Sequence, residues 1–376
     1  MNKATIAQIK AFVAAYVAAA KQAGSWSPDV DSISGLIEKV KATFTLDDGA
    51  FVDRLPELGG QMEAGILEEY AAGLIPADAT PFDGSSSELT PADPVFDEPF
   101  YSYVLKNSNG EPGITFKTTT RREWFKRYLA SGNEDEIVSY ILLKLENSSV
   151  SYKYAAKRQL LGNVIDKAAA AQAGETYTTN STVPKCGHIY VQSSKFYIMK
   201  KNYSAAVNKS LATLTTDGDA VEITPDLVEV VAKPVDTATG EAFIKKVKDA
   251  VEKVTISETE GTSLSGSTIG AVRDELRLYV LPGIESVLDV DTLAGAFHVD
   301  KLAIPAILKT IPDFGTPSTS NVYAVLIDVR GAKLFDNYEE TLATEVNSAM
   351  YVNWFRHIGE TGFISKHTAI KVFKAS

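Results

Sequence analysis

Asp289 and Asp291 stand one residue apart in LDVDTLAGAF, residues 288–297. Two carboxylates so placed suit a divalent cation, and with it a metal-dependent transferase acting on a sugar nucleotide. Such enzymes set the pair at the end of a buried strand, with further ligands and a nucleotide pocket. Here Val280-Leu281-Pro282-Gly283 reads as a turn, and Leu293, Ala294, Ala296 and Phe297 read as a short helix. Asp291, just ahead of that helix, accepts amide hydrogens of its first turn, a contribution of about 1 kcal/mol. Leu293 and Phe297, four residues apart, then share its core face. Capping explains the spacing without a metal, so Asp291 is expected to be a cap, with Leu293 and Phe297 as core anchors.

The remaining chemistry-bearing residues are dispersed. His188, His298, His357 and His367 form no HExxH or HxH pattern, and Cys186-Gly187-His188 is too short a ligand set for zinc. They read as structural or surface histidines. Cys186, the single cysteine, reads as a small half-buried hydrophobe and excludes an internal disulfide. The chain contains no GxSxG elbow, GxxxxGK[ST] loop or GxGxxG turn. No catalytic residue, metal or cofactor is expected. Arg121-Arg122-Glu123-Trp124-Phe125-Lys126-Arg127 interleaves aromatics with charge. Nucleic acid accepts such a run, but an amphipathic segment with a basic interfacial face is the favoured reading.

Charge is distributed in blocks. Residues 46–105 carry Arg54 against thirteen acids, −12, whereas residues 106–210 carry sixteen basic and eight acidic residues, +8. Residues 1–45 stand at +2 and residues 211–376 at −9, within a chain of net charge −11. A reader of nucleic-acid sequence needs a basic domain, which this alternation does not supply. It suits a molecule whose acidic part rests on a basic surface of a neighbour. No apolar run approaches the 18 residues of a membrane span. The N-terminal run has Ile6, Ile9, Val13, Tyr16 and Val17 at helical spacing and lysines between, so it is expected to be an amphipathic helix that stays with the protein.

With 376 residues, two or three lobes are expected. Residues 3–23, 31–43 and about 59–73 read as helices, the last with Met62, Ile66, Leu67 and Tyr70 on one side. From Ile75 to Phe100 there is no periodicity, but five prolines and the aromatics Phe82, Phe96 and Phe100 favour an arm that orders on a partner. Tyr101–Leu105 and Ile114–Thr119 read as a hairpin around Asn109-Gly110. Next, apolar residues at 137, 141, 145, 152, 156, 160, 164 and 168 predict one helix over about 134–171, capped by Asn133 with acids in its first turn. Residues 176–235 read as β-rich, 240–254 as a helix with Phe243, Ile244, Val247, Val251 and Val254 inward, and 257–268 as a polar loop. A helix is expected to start within 268–273. Glu275–Leu281 and the buried Val322–Val329 read as strands, and Tyr351–His357 and Ala369–Phe373 as strands of a half-exposed sheet.

The ordered series GEAFIKKVKDAVEKV, ELRLYV, LPGIESVLDVDTLAGAFHVDK and the closing VYAVLIDV to AIKVF resembles the major capsid proteins of tailed bacteriophages, closest to the small short-tailed phi-29 type. The resemblance implies an α+β protein of the Hong Kong 97 capsid fold. Residues 1–74 are then the N-terminal helical arm, 75–120 the extended loop and 121–175 the peripheral domain with its spine helix. Residues 176–321 are the axial domain, with a β-rich insertion at 184–235, and 322–376 are returning peripheral strands. The implied role is a noncatalytic subunit that self-assembles as pentamers and hexamers into an icosahedral virion shell around double-stranded DNA. DNA is touched nonspecifically, scaffolding and portal proteins are further implied partners, and no membrane is involved. An encapsulin-like compartment would use the same fold. The subunit-interface residues expected are Asp78, Phe82, Asp83, Glu88, Asp93, Phe96, Asp97 and Glu98 on the loop, against Arg121, Arg122, Lys126 and Arg127. Some shells of this fold are crosslinked through a lysine in the extended loop. No lysine lies between Lys41 and Lys106 here, so a noncovalent shell is expected.

Overall fold

The computed structural model describes residues 51–61, 69–70, 96–97, 100–102, 113–121, 134–256, 261–265, 270–288, 306–346 and 351–376. In chain order the first strands are β1 (Gly59–Gln61), β2 (Glu69–Tyr70), β3 (Phe96–Asp97), β4 (Phe100–Ser102) and β5 (Ile114–Arg121), followed by helix α1 (Glu134–Ala173). Then come β6 (Glu175–Thr176), β7 (Ile189–Gln192), β8 (Lys195–Met199), α2 (Leu211–Thr216), β9 (Ala220–Ile223), β10 (Val228–Val230) and α3 (Thr237–Thr255). The closing strands are β11 (Leu276–Val280), β12 (Ile307–Thr310), β13 (Val322–Asp328), β14 (Ala332–Val346), β15 (Tyr351–Ile364) and β16 (Ile370–Lys374). The chain divides into two units. One comprises Met1–Glu63, Tyr103–Ala156 and Phe335–Thr361, and the other Ala64–Ser102, Lys157–Leu334 and Gly362–Ser376.

The long helix is as its periodicity predicts: α1 runs for 40 residues, a length of about 60 Å at 1.5 Å per residue. Of its apolar stripe, Ile141, Leu145, Ala156, Leu160, Val164 and Ala168 are buried and Tyr152 is half-buried. The expected cap Asn133 lies outside the described residues. In the second unit, α1 receives the 313–319 loop. Asp166 accepts the backbone N–H groups of Ser318 (2.8 Å) and Thr319 (2.9 Å), and Gln159 accepts that of Thr316 (3.0 Å). Burial pushes the Asp166 carboxyl up, but these donors outweigh it and hold it below the usual carboxylate range. The close approach requires Gly162, where an added Cβ would lie 2.3 Å from the Phe314 carbonyl oxygen. Gly162→Ala therefore sets a gain of about 1 kcal/mol in helix propensity against backbone overpacking, which costs about 1–3 kcal/mol. The clash is expected to win, lowering the melting temperature by a few degrees; a raised one would contradict this docking.

In the first unit, β15 is the central strand, with β14 on one side and β5 on the other, and β1 outside β14. β5 pairs antiparallel with β15 from Ile114↔Ile358 to Arg121↔Tyr351. Exposure alternates along both strands, as the two-residue pleat requires, and Val352, Trp354, Arg356 and Ile358 point inward. That inner face meets α1 through Phe116 and Tyr152, whose rings lie 5.9 Å apart. The hairpin expectation is thus corrected. Among the described residues β4 and β5 both pair with β15, at Ser102↔Gly362 and Thr118↔Trp354, rather than with each other. The helix expected over 59–73 is also corrected: Gly59–Gln61 and Glu69–Tyr70 are strands. A Cβ on Gly60 would sit 2.7 Å from the Phe335 ring, so this glycine serves strand contact with β14, where its poor helix propensity is no handicap.

The second unit holds a five-stranded sheet of order β10-β16-β13-β11-β12. β10–β16 and β11–β12 are parallel pairs, and β13 runs antiparallel to both neighbours. β13 is buried along its whole length, as its unbroken apolar run predicts. β16 is buried from Ile370 to Phe373, which corrects the half-exposed expectation; β10 and β13 flank it and Phe373 packs on Phe243. α3 lies on this sheet with Phe243, Ile244, Val247, Val251 and Val254 inward, and its true start is a capping box between Asp236 and Thr239. Residues 261–265, expected as a polar loop, are buried: Thr262 accepts from the Ile370 amide, and Ser263 bridges to Ala369. No helix forms over 270–272, where the chain is extended before a 3₁₀ turn at Arg273–Glu275. The β-rich region contains a four-stranded sheet, β6-β7-β8-β9, with α2 packed on it through Leu211 and Leu214. Residues 322–376, expected as one set of returning strands, are divided. β13 and β16 belong to the second unit, and most of β14 and β15 to the first.

Candidate functional site

The potentially reactive residues are placed apart. At the start of β7, His188 Nδ1 lies 3.1 Å from Glu175 Oε1, its ring stacked on Tyr190. That hydrogen bond, against burial and with help from Lys185 and Lys366, holds the Glu175 carboxyl below its ordinary range. A cavity of about 180 Å³ beside the pair is lined by Lys167, Ala171, Gly187, Leu264 and Lys366. His367 Nδ1 is 2.8 Å from Ser265 Oγ in the core, and His357 Nδ1 is 2.8 Å from Thr115 Oγ1 on β5. Cys186 is half-buried and in no disulfide, and its backbone N–H donates to Asn202. Among the described residues no group of three or more His, Cys, Asp and Glu side chains is placed to hold a metal ion. Asp289, Asp291, Leu293, Phe297 and His298 lie outside the described residues, so the cap and its core anchors remain sequence expectations.

Charge is instead concentrated in two networks that fasten strands. In the first unit, buried Arg356 contacts Glu146 of α1 and Glu339 of β14, while Lys153 lies 2.9 Å from Asp336 and 3.9 Å from Glu360. Burial, then the Glu360 charge, pushes the Tyr152 hydroxyl up. In the second unit, buried Lys371 of β16 contacts Asp226 and lies 3.3 Å from Glu229. Lys253 reaches Asp226 at 2.7 Å and Lys246 reaches Glu229 at 2.7 Å. Burial raises both carboxyls, yet the lysine hydrogen bonds outweigh it and hold each low. Apart from Asp226, in the loop ahead of β10, each partner is a strand or helix residue, so among the described residues the two networks fasten elements of the scaffold.

The Phi29-like phage major capsid protein model matches residues 32–374. The chain belongs to that family. A curated capsid relative, the major capsid protein of Bacillus phage PZA, is 25% identical over 126 residues, which span 33% of this chain and 27% of that protein. Among solved structures, the capsid of Staphylococcus phage Andhra aligns with 89% of this chain and 87% of its own, at 11% identity and a TM-score of 0.51. That likeness is one of fold, and it bears out a mixed α+β chain of the tailed-phage capsid type. The capsid of Cyanophage P-SCSP1u covers 89% of this chain and 91% of its own, at 8% identity and a TM-score of 0.46.

Of this capsid family member's expected interface residues, Asp78, Phe82, Asp83, Glu88, Asp93, Glu98, Arg122, Lys126 and Arg127 lie outside the described residues. Phe96 and Asp97 form β3, paired with Tyr70 and Glu69 of β2. Arg121 is exposed at the end of β5, opposite Tyr351. The structure adds what spacing did not show: the outward face that β5 and β15 build together. Its signal was present in the alternation of ITFKTTTR and YVNWFRHI, two segments separated by some 230 residues.

Proposed function

We propose that the chain is the major subunit of a phage head, of which many copies, as pentamers and hexamers, close into an icosahedral shell around double-stranded DNA. The observation that carries this reading is the family match over nearly the whole chain, residues 32–374. The described scaffold suits it, since ion pairs and hydrogen bonds stiffen strands around a 40-residue helix. In this reading residues 1–74 are the arm, 75–120 the extended loop and 121–175 the spine segment. Residues 176–321 are the axial domain, with a β-rich insertion at 184–235 that holds β7, β8 and β9, and within 322–376 it is β14 and β15 that return to the peripheral domain. The acidic loop rests on a neighbouring subunit, scaffolding and portal proteins are further partners, and the protein resides in the virion with a structural rather than catalytic role.

Gradient sedimentation of the expressed chain tests this reading. Fast-sedimenting particles are expected, which dissolve on a denaturing gel to one band at the 40.6 kDa subunit mass. Slow-sedimenting protein alone contradicts the shell, and a covalent ladder contradicts its noncovalent character.

A further inference from the structure

Antiparallel register sets four cross-strand pairs of β5 and β15 on one face: Thr115–His357, Lys117–Phe355, Thr119–Asn353 and Arg121–Tyr351. All four β5 members are exposed, and the β15 members are exposed or half-buried. α1 packs on the opposite face, through Phe116 and Arg356. The outward side chains are bonded into rungs. Thr115 Oγ1 lies 2.8 Å from His357 Nδ1, Thr119 Oγ1 donates to Asn353 Oδ1 at 2.9 Å, and Lys117 Nζ stands 5.4 Å above the Phe355 ring. Phe355 and His357 stack with 11° between their planes. No carboxylate occurs among these eight residues, in a chain of net charge −11. On the neighbouring β14, Tyr338 lies against Gly113 and Gly359, and Tyr338, Glu340 and Thr344 are exposed.

We propose that this strip is a contact surface for the phosphate backbone of nucleic acid, held without regard to base sequence. The proposal rests on the reading of the chain as a DNA-enclosing subunit and names the residues that touch the DNA. Lys117 and Arg121 supply fixed positive charge. The bond from Thr119 occupies the Asn353 carbonyl oxygen and leaves its amide nitrogen to donate outward, and Tyr351 adds a hydroxyl. Rungs two residues apart repeat at about 6.8 Å, about twice the 3.4 Å axial phosphate repeat of one DNA strand. A flat ribbon face offers nothing to enter a groove, so base readout is not expected. A protein partner suits the strip less. Its largest apolar ring, Phe355, is capped by Lys117, whereas protein interfaces centre on a desolvated apolar anchor. Two cations per subunit bind weakly, but a shell presents many copies to one polyanion.

The test is fluorescence anisotropy of a labelled duplex of about 20 base pairs with the full-length unassembled protein, across a salt series. Wild type is expected to bind more weakly as salt rises. The Lys117→Gln/Arg121→Gln double variant is expected to bind about tenfold or more weaker at low salt, with a log–log salt slope smaller by about 1.8. Because both side chains are exposed, its melting temperature is expected to match wild type. Duplex binding and slope unchanged in the variant overturn the proposal, as does a wild type that ignores duplex. So does a wild type that binds a peptide of residues 75–100 through these two cations in preference to DNA, which would make the strip a protein-docking face. Particle formation, scored separately by sedimentation, distinguishes failure of the strip from failure of the capsid reading.

Discussion

Deleting residues 79–97 is expected to leave a folded, soluble subunit that no longer closes into shells. The segment lies within the block of residues 46–105, where thirteen acids face one arginine, and it carries Phe82 and Phe96. Within the subunit, the described part of it is β3, which among the described residues pairs with β2 over two residues; β4, which pairs with β15, begins after the deletion. A two-rung ladder adds little to a domain's stability. Circular dichroism and the melting temperature are therefore expected to stay close to wild type. Assembly is a different matter, because a modest attraction removed from every interface is multiplied around a closed shell. Shells of normal size from the deleted chain would show that the loop does not act between subunits.

Replacing Lys371 by Met is expected to cost about 3 kcal/mol, the low end of what breaking a buried ion pair costs. Lys371 is buried beside Asp226 and Glu229, so its removal strands part of two carboxylate charges. The cost stays at the low end because Lys253 and Lys246 still reach them, at 2.7 Å each. The effect depends on pH in a defined direction. Both carboxyls are held below their ordinary range, so the stability they contribute is present above about pH 4 and is lost as pH falls through the folded-state values. The gap between wild type and variant in denaturant melts is thus expected to be full at neutral pH and to shrink below about pH 4. A gap that holds at low pH would mean that Lys371 acts through packing of its methylenes and not through charge.

The sequence was most legible where one periodicity runs long enough to exclude alternatives. The stripe from Ile141 to Ala168 settles α1, and five inward residues settle α3, because a helix buries one face whatever lies opposite. β13 was legible for the opposite reason, since an unbroken apolar run of strand length, rich in valine and isoleucine, suits a strand covered on both faces. Pairing was not legible. Asn109-Gly110 suggests a local hairpin, but β5 and β4 find a common partner in β15, and Thr119 meets Asn353 across 234 residues of chain. β14 went unread because AKLFDNYEETLATEV mixes charge into its inward positions. Glu339 sits there because buried Arg356 receives it. Buried Thr262, Ser263 and Ser265 look like loop residues for a related reason, as Thr262 and Ser265 meet the backbone of the 366–370 segment. The interface candidates rest on charge blocks and on family resemblance, and of the four basic ones only Arg121 falls among the described residues, on the strip with Lys117.

Negative-stain electron microscopy of the intact recombinant chain tests the central claim most directly. Closed, uniform icosahedral shells are expected. A field of dispersed subunits, under conditions where melting shows the chain folded, would contradict the account.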